Sequence, residues 1–178
     1  MMLANLGLNA YHRHDQRLAL DYLTLAANLA NGSDMRDFQA FIALCRGHAL
    51  TALHEHADAL QYYESALALR RALGQRQQTA EPLAGLIELS LQMGDQRVAG
   101  QLAGDLYQLV GKPDFQAAIE LFRVYWACFA GLRAVADEHA RGVLELAYRR
   151  LESRAAQIGD EAMRRDYYTR VEAHRNIL

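Results

Sequence analysis

The chain has 178 residues, 52% of them hydrophobic and 22% charged, enough for one compact domain or a short stack of repeated units. A net charge of −2 offers no basic excess for nucleic acid and no acidic tail. No run of about 18 apolar residues is present to span a membrane, and Met1-Met2-Leu3-Ala4-Asn5 lacks the basic-then-apolar pattern of an export signal, so the expectation is a cytoplasmic protein.

β-branched residues are sparse and no stretch alternates with period two, so the chain reads as all helix. In chain order, helices are expected over about 3–13 and 16–31, 34–53 and 56–73, 80–93 and 95–110, and 114–135 and 137–157. These form four hairpins, and a shorter ninth helix at about 160–171 closes the array. Gly32, Gly74, Gly94, Gly111 and Gly159 each follow a helical stretch, where glycine readily takes the left-handed closing conformation. Ser33, Asp34, Asp95 and Asp160 stand next to such glycines as candidate N-caps. Pro82 and Pro113 fall at or just before helix starts. Cys45 and Cys128 lie in apolar helical runs and read as buried free thiols.

The hairpins echo one another. Ala19, Ala59 and Ala99 recur at intervals of forty residues, each opening the second helix of a hairpin, and Ala140 follows at nearly that interval. From each, a residue four later and another three beyond share one helix face: Leu23 and Ala26, Tyr63 and Ala66, Ala103 and Leu106, Leu144 and Ala147. Gly7 and Gly47 sit mid-helix at equivalent places, at a cost of about 1 kcal/mol each against Ala. A repeated cost at equivalent sites implies close helix crossing. A fixed period of a few tens of residues signals a stacked array of similar units.

These residues resemble the tetratricopeptide repeat, whose pattern is W-x2-L-G-x2-Y followed by Ala, a large residue four later, and Ala three beyond. Leu6-Gly7 with Ala19-Leu23-Ala26 matches, and Gly47 with Ala59-Tyr63-Ala66 matches best. The third unit exchanges large for small, the fourth keeps only the period, and the period exceeds the family's 34 residues. Longer repeats of this type resemble the sensor arms of bacterial multidomain signal-transduction ATPases. The stretch from Arg154 to Tyr168, with the ending His174-Arg175-Asn176-Ile177-Leu178, resembles the last segment of such regulators. The resemblance implies an all-α right-handed superhelix of four hairpins plus a capping helix, the C-terminal piece of a larger regulator. An open trough would be lined by the first helix of each pair.

The ligand-facing positions that the resemblance implies are Phe41, Leu44, Cys45, His48 and Thr51 in the second unit. In the third they are Glu81, Ala84, Glu88 and Gln92, and in the fourth Phe122, Tyr125, Trp126, Phe129 and Arg133. The Lys, Arg and Asn set with which the family holds a peptide carboxylate is missing. The aromatic fourth unit reads either as an anchor pocket for a partner helix or as ordinary core. The pairs His12/His14 and His54/His56 sit at hairpin turns; two residues apart they face different ways, so they read as solvated turn histidines and no metal site is expected. Arg70-Arg71, Arg149-Arg150 and Arg164-Arg165 read as solvated faces, with the arginine-rich tail as a second candidate docking face. No G-x-S-x-G or G-x-x-x-x-G-K-[ST] occurs. The expectation is therefore a non-catalytic interaction module without cofactor. It would bind a protein segment or peptide, or pair with a second copy, with no nucleic acid or membrane partner. The alternative is a small-molecule sensor enclosing an apolar effector in the aromatic fourth unit.

Overall fold

A computed structural model describes residues 1–30, 35–112, 114–116 and 119–178. Gly32, Ser33, Asp34 and Pro113 lie outside them. The described residues form ten α-helices and one 3-10 turn, with no strand. The helices are α1 (Met2–His12), α2 (Gln16–Ala30), α3 (Arg36–Ala52), α4 (His56–Ala72), α5 (Ala80–Gln92) and α6 (Gln96–Val110). They continue as α7 (Leu121–Ala134), α8 (Ala140–Ala155), α9 (Glu161–Thr169) and α10 (Glu172–Ile177), and the 3-10 turn, Gln77–Thr79, leads into α5.

Every helix from α1 to α8 packs on its successor, and the first helices of the hairpins also pack on one another, α1 on α3, α3 on α5 and α5 on α7. Four hairpin turns share one geometry. His14 (φ 62°), His54 (φ 61°), Gly94 (φ 80°) and Ala136 (φ 55°) each take the left-handed conformation. The N–H after each reaches back to the carbonyl five residues earlier: Asp15 to Ala10, Glu55 to Leu50, Asp95 to Ser90 and Asp137 to Leu132. This closure satisfies carbonyls that a helix end leaves free. Asp95 and Asp160 cap the next helices, accepting from Val98 N (3.0 Å) and Met163 N (2.8 Å), as the sequence suggests.

The repeated small residues are where helices touch. Ala19, Ala59, Ala99 and Ala140 are buried, and Gly7 and Gly47 mark crossings against Leu23 and Tyr63 of the next helix. A methyl on Gly47 would meet the Tyr63 ring at 2.6 Å, and the same ring presses on Gly85 of the next hairpin. Tyr63 is thus a plate wedged between α3 and α5, with no exposed surface. Glycine at both contacts allows that approach. The main core runs from α3 to α10, while the first hairpin joins through smaller clusters such as Ala4, Leu23, Ala26, Ile42 and Cys45.

Four expectations need correction. α7 begins at Leu121, not near 114. Phe115 instead turns into the core edge-on to Tyr125, with ring centroids 6.0 Å apart, and its carbonyl accepts from Arg150 Nη1 at 2.7 Å. The preceding helix therefore has no left-handed glycine: Gly111 has φ −72°, and Gly159 also avoids positive φ. The C-terminal cap is two short helices, not one; α10 packs on α7 and α8, setting His174 edge-on to Phe122 at 4.7 Å. Finally, the inner face of the first helices is not an open trough throughout. His12 Nε2, at the end of α1, lies 3.9 Å from Glu120 Oε1, at the start of α7.

Candidate functional site at the meeting of the first helices

All four first helices bring polar side chains to the place where α1 and α7 meet. Arg123 is its centre. It projects from the first turn of α7, where Leu121, Phe122, Val124 and Tyr125 are buried and leave it the one charged group. Its Nε and Nη2 grip the Glu88 carboxylate of α5 at 3.0 and 2.5 Å, a forked pairing that suits planar guanidinium and carboxylate. Its Nη1 reaches Glu120 Oε2 at 2.9 Å and His48 Nε2, on α3, at 3.0 Å.

The hydrogen-bond order follows from the chemistry of the groups. A guanidinium only donates, so His48 Nε2 accepts and the proton of a neutral His48 sits on Nδ1. Nδ1 then donates to the Tyr63 hydroxyl at 2.8 Å. That hydroxyl lies 3.3 Å from Thr51 Oγ1, and Thr51 donates to the Gly47 carbonyl at 2.8 Å. Thr51 has one proton, so Tyr63 donates to Thr51. The chain of bonds runs one way, from the half-open Arg123 to the buried α3 backbone. Tyr11 of α1 stacks on the His48 ring, with centroids 5.7 Å apart and planes 30° from parallel.

Burial shapes the titration of the cluster. Desolvation, with the Arg123 and His12 charges next, holds His48 well below the ordinary histidine value. Burial pushes the Tyr11 and Tyr63 phenols up. Glu81 is raised by burial although its Oε1 accepts from Ile119 N (2.8 Å) and Glu120 N (3.1 Å), bonds that tie the start of α7 to α5. For Arg123, desolvation opposes the charge but Glu88 outweighs it, so the guanidinium is held firmly protonated.

The residues singled out from the sequence divide three ways. His48, Glu81 and Glu88 belong to this cluster, with Thr51 behind it. Leu44, Cys45 and Ala84 are buried between helices, and Phe41 is half-buried beside them. The fourth-unit aromatics do not form one pocket. Tyr125 is fully buried against Phe115 and under Arg150, and Phe122 is covered by His174 and Arg154, so both are core. Trp126 and Phe129 remain half-buried, 5.2 Å apart, with Arg133 over Phe129. Gln92 is exposed at the end of α5. Tyr11, Glu120 and Arg123 are the members that sequence reasoning missed.

His54 and His56 sit 5.8 Å apart at their turn, and among the described residues no three His, Cys, Asp or Glu side chains group as metal ligands. Among the same residues no helix is long and apolar enough to cross a membrane. Burial raises both thiols, Cys128 to about 12. No protein-family model matches the chain, and no curated protein matches it.

Proposed function

We propose that this chain is a non-catalytic protein- or peptide-interaction module, the cytoplasmic scaffold or sensor arm of a bacterial regulatory protein. In this reading the four hairpins form a right-handed superhelix related to the tetratricopeptide repeat. Its support is that first helices pack on one another while the second helices α2 and α4 do not pack to that extent, which curves an array inward on the first-helix side. The observation that carries the function is the convergence of α1, α3, α5 and α7 on one half-open surface. There the side chains of Glu120, Glu88 and Arg123 are 25, 24 and 16% exposed and His12 is 48% exposed.

Two accessible carboxylates against one guanidinium favour a basic partner segment over a carboxylate terminus. Contact with α1 and α7 together would change how closely the ends of the array approach. That gives a sensor its lever, since a ligand biases whichever arrangement it binds better. The test is a peptide array probed with the labelled chain, with hits remeasured by fluorescence anisotropy. Glu120→Gln is expected to weaken a bound basic peptide about 5- to 10-fold while helicity is unchanged. Hits that bind wild type, Glu120→Gln and Trp126→Ala alike end the proposal. Tyr125 is core and does not serve as a surface probe.

A second reading, a small-molecule effector site in the fourth hairpin, has one observation in its favour. A hollow of about 380 Å3 lies between α8 and α10, bordered by Leu144, Tyr148 and Ile177, a volume within the range of ligand sites. An effector there would raise the melting temperature in a thermal-shift screen, and Tyr148→Ala would remove the rise.

A further inference from the structure

A second opening lies on the other side of the array, between α2 and α4, with α3 as its floor. Its volume is about 520 Å3, and Leu20, Thr24, Arg46, Leu50, Asp58 and Tyr62 are among the residues that line it. Arg46 stands on the floor. Its Nη1 donates to the Tyr62 hydroxyl at 2.8 Å and its Nη2 to Thr24 Oγ1 at 2.6 Å, so both walls hold the guanidinium in place. The group also lies 5.0 Å above the centre of the Tyr62 ring.

Its positive charge is not matched. Among the described residues no carboxylate is within ion-pairing distance of Arg46, whereas Arg70 and Arg123 pair with Asp37 and Glu88. A guanidinium has five N–H donors, and the two walls use two. The repeat register shows that hairpin packing does not demand this charge. The positions equivalent to Arg46 in the other units are Leu6, Leu86 and Ala127. In the next unit Leu86 is buried where the guanidinium stands here.

We propose that the α2/α4 opening binds the carboxylate of an organic molecule with a small apolar body. The free N–H groups of Arg46 take the carboxylate, and Leu20 and Leu50 take the body. Asp58 on the α4 rim repels a second negative charge, so the site prefers a monoanion to a phosphate dianion. The site is separate from the inner-face cluster, and its test does not depend on that reading.

The probe is sodium benzoate, followed by 15N–1H spectra that include arginine side-chain Nε–H signals. Benzamide serves as the neutral comparison and inorganic phosphate as the dianion. The Arg46 Nε–H and the amides of Thr24 and Tyr62 are expected to shift along one saturating curve, with Kd on the order of 1 mM for so small a ligand. Benzamide produces no such curve, phosphate binds more weakly, and Arg46→Gln abolishes the response. Asp58→Asn, at an exposed position, tightens benzoate about 2- to 5-fold by removing a nearby like charge. The proposal is overturned by benzamide or phosphate matching benzoate, by no saturable shift, or by binding that survives Arg46→Gln. If Arg46→Gln does not fold, Asp58→Asn decides, and unchanged benzoate affinity there overturns the proposal.

Discussion

The wedge at Tyr63 makes the sharpest stability prediction, through Gly85→Ala. In α5 the added methyl would overlap Tyr63 Cε1 and lie 2.5 Å from Cζ and 2.8 Å from Cδ1. The ring cannot retreat toward α3, because a methyl-sized position at Gly47 is already within 2.6 Å of it. Nor can it swing along the helices without breaking the 2.8 Å bond from His48. Overpacking costs about 1–3 kcal/mol, and a buried partner left unpaired costs about 1–3 more. Alanine's better helix propensity returns about 1. The net loss is about 1–5 kcal/mol, a fall in Tm of roughly 3–15 °C for a chain of this size. Gly104→Ala is the control, mid-helix in α6 with nothing within 4 Å of the new methyl, and it gains about 1 kcal/mol. Urea unfolding of the two variants reads both values. A loss below about 0.5 kcal/mol for Gly85→Ala, or a shift of the same sign in both, refutes the wedge.

Other consequences are equally direct. Ala136 holds a left-handed conformation at φ 55° that costs a side chain about 1–2 kcal/mol, so Ala136→Gly raises stability by about 1 kcal/mol in the same assay. His48 is depressed in the folded state, so its contribution is intact above its unfolded value of 6.5 and is lost as pH falls below it, by about 1.4 kcal/mol per pH unit. Glu81 acts in the opposite sense, taking a proton in the fold before it does so unfolded. Tyr11 and His12 of α1, Tyr63 of α4, and Glu120 and Arg123 at α7 also face the His48 ring, with Glu88 of α5 behind Arg123. His174 is depressed as well, so the measurement is the difference in unfolding free energy between wild type and His48→Gln from pH 7 to 5. Wild type loses stability more steeply; parallel curves contradict the assignment. The raised, buried thiols of Cys45 and Cys128 make both unreactive toward a disulfide reagent until unfolding, and rapid labelling of the native chain would contradict their burial.

The periodic parts of this fold were legible because packing imposed them on the sequence. Ala59, Tyr63 and Ala66 report the face of α4 that must meet α3, and Gly47 reports the contact itself. His48 and Glu88 are forty residues apart, so the repeat alone places them on equivalent faces of successive first helices. Three features were not legible. The turns at His14, His54 and Ala136 are left-handed without glycine, so they carry no residue signal. The segment before α7 looks helical in pattern, but Phe115 gains more by filling the core beside Tyr125 than by continuing a helix. The approach of His12 to Glu120 depends on how α1, α3, α5 and α7 pack on one another, which no local pattern encodes. Arg123 did leave a trace, as a lone charge in the apolar run Leu121 to Trp126. Such a charge must find a partner when buried, and that partner is Glu88.

The central claim is that α1, α3, α5 and α7 form one recognition surface. It is tested most directly by 15N–1H spectra of the chain titrated with an array-selected basic peptide. The account predicts that the Arg123 Nε–H and the amides of Tyr11, His48 and Glu120 move together on one saturating curve. Shifts confined to α2, α4 or α8, with those four signals stationary, would contradict it.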